Sequence, residues 1–171
     1  MQLLFSYLTR FIEGISEWSG RTAMWLGLLL VLVTAYETGQ RYLLHQSSTA
    51  LQELTWHLYS ALFLVGLAYT FKQDGHVRVD IFYDRLSARG KAIVNIFSVL
   101  FLLIPFSFCM IYFSLDWVRQ SMEFGERSPD PGGLASRWLL KTILPLGFGL
   151  LLLQGLAELI RNIQIFWKRV A

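Results

Sequence analysis

The stretch ELTWHLYSALFLVGLAYTFKQDGHVRVD, from Glu53 to Asp80, decides the fold of this chain. Leu54 to Phe71 is apolar over close to the ~20 residues that cross a bilayer core. The polar cluster that follows, Lys72-Gln73-Asp74-Gly75-His76-Val77-Arg78-Val79-Asp80, carries too much charge to enter hydrocarbon, so a membrane exit falls near Lys72. Gly75 is placed to supply a left-handed helix cap, and Lys72 to complement the last carbonyls. Beyond it, Val77, Val79 and Ile81 alternate with His76, Arg78 and Asp80, the pattern of a short two-faced docking piece at the membrane edge if it is extended.

Composition agrees. The chain is 54% hydrophobic and 15% aromatic with a mean hydropathy of +0.47, and its 16% charged residues fall well short of the ~25% usual in soluble domains. The 171 residues leave no room for a soluble domain beside the apolar segments. The net charge of +3 comes from basic residues scattered over loops rather than gathered on one face, which argues topology and not nucleic acid. A single cysteine, Cys109, inside an apolar segment excludes an intramolecular disulfide.

Outward from the deciding stretch, the N-terminal residues place Leu4, Leu8, Phe11, Ile12, Ile15 and Trp18 at helical spacing, with Ser6, Thr9, Arg10, Glu13 and Glu17 on the other face. This predicts an amphipathic helix over about 1–19 lying along the membrane surface. Neither a basic start nor a continuous apolar core marks a signal peptide near Met1. Spans follow at about 21–44, 54–72, 92–115 and 138–160. The expected fold is an all-α membrane protein, one membrane domain over 1–171, with four transmembrane helices plus the N-terminal surface helix.

Polar residues inside or beside the spans are the candidates for chemistry. Glu37 and Arg41 stand at i, i+4 and are expected to form an intramembrane ion pair. Glu53 and His57 share the same spacing. Pro105 predicts a kinked or locally compensated third span, and Pro145, Gly147 and Gly149 allow close helix approach in the fourth. Ser128-Pro129-Asp130-Pro131-Gly132-Gly133 cannot continue a helix. No phosphate-binding loop, zinc-protease motif or nucleophile elbow occurs, and His76 with Asp80 would give only two ligands to a metal. An enzyme is not expected, nor any cofactor.

Lysine and arginine are divided unevenly. Arg10, Arg21, Lys72, Arg78, Arg85, Arg89, Lys91, Arg161, Lys168 and Arg169 fall on one side, and Arg41, Arg119, Arg127, Arg137 and Lys141 on the other. The positive-inside rule then puts both termini and the 72–91 connection in the cytoplasm.

Glu53 at the start of the second span, the cluster Asp74-Gly75-His76-Val77-Arg78-Val79-Asp80, the loop residues Ser121, Glu123 and Ser128, and Trp138 followed by Ile143-Leu144-Pro145-Leu146-Gly147 together resemble the small, DctQ-like membrane subunit of tripartite ATP-independent periplasmic (TRAP) transporters. The resemblance extends from the first span to the fourth, and Gly75-His76-Val77-Arg78-Val79-Asp80 is its most specific part. It implies a non-catalytic scaffold subunit of the bacterial inner membrane. Its partners would be the lipid bilayer, a large elevator-type membrane subunit holding the substrate and sodium sites, and a periplasmic binding protein that delivers an organic acid. Because the chain ends after its fourth span, the unfused form is expected. It also implies an assembly or structural role for Glu53, Asp74, Gly75, His76, Arg78 and Asp80. The alternative is a haem-binding or quinone-linked membrane anchor of a redox enzyme. That needs histidines on facing helices, and only His57 lies inside a span.

Overall fold

The structure, a computed structural model, describes residues 2–74, 83 and 85–168. Gly75, His76, Arg78 and Asp80 of the exit cluster, with Val77, Val79 and Ile81, lie outside the described residues. Four helices account for most of the chain: α1 (Gln2–Leu43), α2 (Thr49–Lys72), α3 (Ala88–Glu123) and α4 (Trp138–Lys168). Each is long and apolar enough to cross a membrane, and no strand occurs among the described residues. The helices outrun the predicted spans because hydropathy marks only their apolar middles, whereas hydrogen bonding continues into the polar ends.

One expectation fails outright. The separate surface helix over 1–19 is absent; α1 passes through Ser19-Gly20-Arg21 without a break. The junction holds neither a proline nor a cap, and one buried stripe, Ile12, Ser16, Ser19, Gly20 and Ala23, runs straight across it. The Ser16 hydroxyl donates to Gln154 Oε1 of α4 at 2.7 Å, and Gly20 lies so close to the Tyr69 ring of α2 that a β-carbon would collide with it. Phe11 and Trp18, expected on the apolar face, are exposed. Small and polar residues, not the large apolar ones, face the neighbouring helices.

The pairs Gly20 with Tyr69, Ala23 with Gly66, and Gly27 with Leu62 step in opposite directions along α1 and α2, so the two are antiparallel. Leu64 of α2 sits against Gly147 of α4, and Leu103 of α3 against Gly155 of α4. α4 thus touches all three other helices, while α3 packs along α4 and makes no comparable contact with α1 or α2. The interior combines small residues, Ala61, Ala68, Ala92, Ala157, Ser107 and Ser114, with a few larger ones such as Leu58, Phe148 and Leu151, and many large apolar residues such as Trp25, Phe108 and Phe113 face outward. In lipid this inversion is expected, because apolar burial drives no helix association there and close backbone approach does.

Pro105 has a local answer. It lacks the N–H that would bond Phe101, and its ring crowds that carbonyl. The turn before it widens into a π-helical segment, Val99–Leu103, in which the Ile104 N–H reaches Val99 O. The helix continues through the span instead of ending.

The connections turn sharply. His45 in the α1–α2 turn and Asp74 after α2 adopt left-handed backbones, with φ of 53° and 60°. Asp74 stands just beyond the Gln73 C-cap in a conformation that aspartate adopts more readily than most side chains do, and the cap expected at Gly75 lies outside the described residues. Gln73 N–H closes the last turn on Tyr69 O at 3.0 Å.

Candidate functional site: two polar clamps at the helix ends

The first clamp joins the start of α2 to the loop between α3 and α4. Glu53, in the first turns of α2, is only 4% exposed. Its Oε1 accepts from the Ser128 hydroxyl, and its Oε2 accepts from the Leu134 N–H at 2.6 Å. The same Ser128 oxygen accepts from Asp130 N–H at 3.2 Å, and Ser128 N–H donates to Leu134 O at 3.0 Å. The loop therefore folds around one carboxylate. Its two adjacent glycines serve different ends. Gly132 has φ of 77°, which favours glycine. Gly133 has no room for a side chain, since a β-carbon would stand 2.5 Å from Ser128 Cβ and 2.9 Å from Glu53 Oε2.

A second acid extends this clamp. Glu126 pairs with Lys141 of α4, its N–H donates to Ser121 O at 3.0 Å, and its carbonyl accepts from Arg137 N–H at 3.1 Å. The Lys141 ammonium holds the Glu126 carboxyl below the usual carboxylate range, against the opposing effect of burial. The Lys141 ammonium also stands 4.3 Å from the Trp117 ring centroid, and the Arg137 guanidinium 5.6 Å from that of Trp56. Such cation–aromatic contacts suit a membrane boundary, where rings meet charges. Glu123 pairs with Arg119 on an exposed face at 2.8 Å and stays outside the clamp.

Of two acids read from the sequence, Glu53 departs from its i, i+4 neighbour and Glu37 does not. The Glu53 carboxylate turns to the loop and not to His57; the His57 Nδ1–H donates to the Glu53 carbonyl oxygen at 2.6 Å. Glu37 accepts from Arg41 one turn on within α1, the acid buried and the guanidinium half-exposed.

The other end, with the chain termini and the α2–α3 connection, holds the second clamp. Lys72 donates to Glu17 Oε2 at 2.9 Å and to Glu13 O at 3.3 Å, fixing the end of α2 on α1. Asn95 of α3 donates to Asn162 of α4 at 3.2 Å and accepts from the Tyr83 hydroxyl at 3.0 Å. Asn162 in turn donates to Glu158 Oε1 at 2.7 Å, and Arg161 reaches both Glu158 and, at 3.6 Å, Glu13 of α1. All four helices are tied there by side chains that composition alone does not single out. Gln154 and Asn162, polar residues at the apolar fourth span and its end, were the available signal. Of the exit cluster, Asp74 lies at the edge of this clamp.

Comparison with known proteins bears on both clamps. Residues 30–165 match the family model described as "Tripartite ATP-independent periplasmic transporters, DctQ component". The chain belongs to this family. The C4-dicarboxylate TRAP transporter small permease protein DctQ of Pseudomonas aeruginosa is 27% identical over 147 residues, covering 80% of this chain and 70% of the relative. The DctQ match takes in Glu53 and its loop, together with Asn95 and Asn162, and begins part-way along α1. A DctQ-family protein with four membrane-crossing helices is a multi-pass protein of the inner membrane and the small subunit of a TRAP transporter.

Proposed function

We propose that this chain is the non-catalytic scaffold of a sodium-coupled TRAP transporter that imports an organic acid or related small solute, pairing with a large elevator-type membrane subunit and supplied by a periplasmic binding protein. The supporting observation is how the buried acids are used. Glu53 is closed on Ser128 and Leu134, which ties α2 to the α3–α4 loop, and Glu37 is paired with Arg41 within α1, so both carboxylates are already engaged inside the subunit. Membership of the DctQ family supports the same reading and does not favour a haem- or quinone-linked anchor. Glu53 and Asp74, with Gly75, His76, Arg78 and Asp80, are assigned to holding the subunit in assembled form. Both termini and the 72–91 connection face the cytoplasm, following the excess of lysine and arginine at that end.

The decisive experiment is reconstitution. Vesicles containing this subunit alone should give no sodium-driven uptake, and vesicles containing both membrane subunits with the binding protein should take up substrate. Uptake by the subunit alone would sink the scaffold assignment. For orientation, single cysteines at Ser87 and Asp130 in a Cys109→Ser background should label from opposite faces, Ser87 from the cytoplasm; labelling of both from one face refutes the topology.

A further inference from the structure

Where α3 enters the membrane, Arg85, Arg89 and Phe166 take no part in the hydrogen-bonded clamp beside them. The Arg89 guanidinium lies over the Phe166 ring of α4, with Cζ 4.7 Å from the centroid, and Arg85 is exposed in the turn before Ser87. Two other cations at this end have carboxylate partners: Lys72 has Glu17, and Arg161 has Glu158. Among the described residues no acid pairs with Arg85 or Arg89. Their charge adds to the positive end of α3, whose first turn is capped by the Ser87 oxygen accepting from Gly90 N–H at 3.2 Å.

Going into the membrane from Arg89, every fourth residue of α3 is apolar and exposed: Ile93 at 51%, Phe97 at 57% and Phe101 at 58%. The Phe97 and Phe101 rings stand 4.8 Å apart and make one continuous ridge. Cations with no acid partner among the described residues, directly above an exposed apolar ridge, match the two halves of one molecule. We propose that this edge binds an anionic phospholipid, its phosphate between Arg85 and Arg89 and an acyl chain along Ile93, Phe97 and Phe101. Stacking on Phe166 holds the Arg89 head in place and leaves its N–H edge for the phosphate. A zwitterionic headgroup would bring its own cation towards the two arginines, so phosphatidylglycerol is favoured over phosphatidylethanolamine.

The test is native mass spectrometry of the full-length subunit released from detergent micelles containing equal amounts of those two lipids. The wild type should retain phosphatidylglycerol preferentially. Arg85→Gln and Arg89→Gln should each weaken retention about fivefold, the factor expected for one cation near a membrane surface, while Arg127→Gln at the opposite end should leave it unchanged. Circular dichroism establishes that each variant keeps its helices. Equal retention of the two lipids, or unchanged retention by the double variant, overturns the proposal. So does displacement of the lipid by millimolar inorganic phosphate, which identifies a site for the free anion. Loss of the large subunit by the double variant, with lipid retention unchanged, identifies a protein interface instead.

Discussion

Replacing Gly147 by alanine tests the packing of α2 on α4 at its tightest point. The new β-carbon would lie 2.7 Å from Leu64 O, 2.9 Å from Leu64 Cβ and 3.0 Å from Leu64 C. Carbon contacts settle near ~3.5–4.0 Å, so the shortfall is roughly 0.5–1 Å. Two of the three atoms belong to backbone, and no rotamer change relieves them; the helices must move apart. Overpacking of this kind costs about 1–3 kcal/mol. Alanine recovers ~0.5–1 kcal/mol through its better helix propensity, leaving a net loss of about 0–2.5 kcal/mol, centred on ~1 kcal/mol. Gly149 is the internal control, since nothing lies within 4 Å of where its β-carbon would be. In denaturant titrations of the purified subunit in mixed micelles, followed by tryptophan fluorescence, Gly147→Ala should unfold earlier than wild type, and Gly149→Ala at the same point or later. If the two variants behave alike, α2 and α4 do not meet backbone to backbone at Gly147, and the reasoning from close approach is refuted.

The loop clamp gives a second comparison. Gly132→Ala should cost about 1–2 kcal/mol through its left-handed backbone alone, whereas Gly133→Ala, with no left-handed backbone to strain, should expel Ser128 from Glu53; faster hydrogen exchange at the Leu134 amide in the second variant only is the distinguishing result. Because the Glu126 carboxyl is held below its ordinary value, its contribution is present above the unfolded value near 4.5 and is lost as pH falls through the depressed folded value. Melting temperature should therefore drop on acidification, and Glu126→Gln should flatten that part of the profile. Finally, Arg78→Ala or Asp80→Ala should reduce recovery of the assembled transporter, with uptake falling in proportion. Full assembly combined with an altered sodium response would point to an ion site instead.

The class of the fold was legible because lipid imposes one rule, apolar runs of spanning length, and Leu54–Phe71 or residues 92–115 announce it without context. Glu53 could be picked out as a lone acid at the mouth of a span, but its partners could not, since Ser128 and Leu134 come from a loop 75 and 81 residues away. The failure at residues 1–19 has a different cause. A helical periodicity fixes which residues share a face and says nothing about whether that face meets a lipid surface or another helix. There the buried stripe was written in serine and glycine, residues that hydropathy does not count. The widened turn before Pro105 was half legible, since the proline demands compensation and only packing chooses its form.

The unbroken α1 has a mechanical consequence. Its 42 residues make a rod of about 63 Å at 1.5 Å per residue, against a hydrocarbon core of ~30 Å. Roughly half of the rod lies beyond the hydrocarbon, and the salt bridge from Glu13 to Arg161 lashes the end of α4 to it as a strut. A stiff rod anchored in a sheet acts as a pointer. A change of ~10° in tilt, which bilayer thickness alone can impose, would swing the free tip by ~6 Å. The membrane's own thickness thereby becomes a setting for where the N-terminal end of this subunit sits in the water outside it.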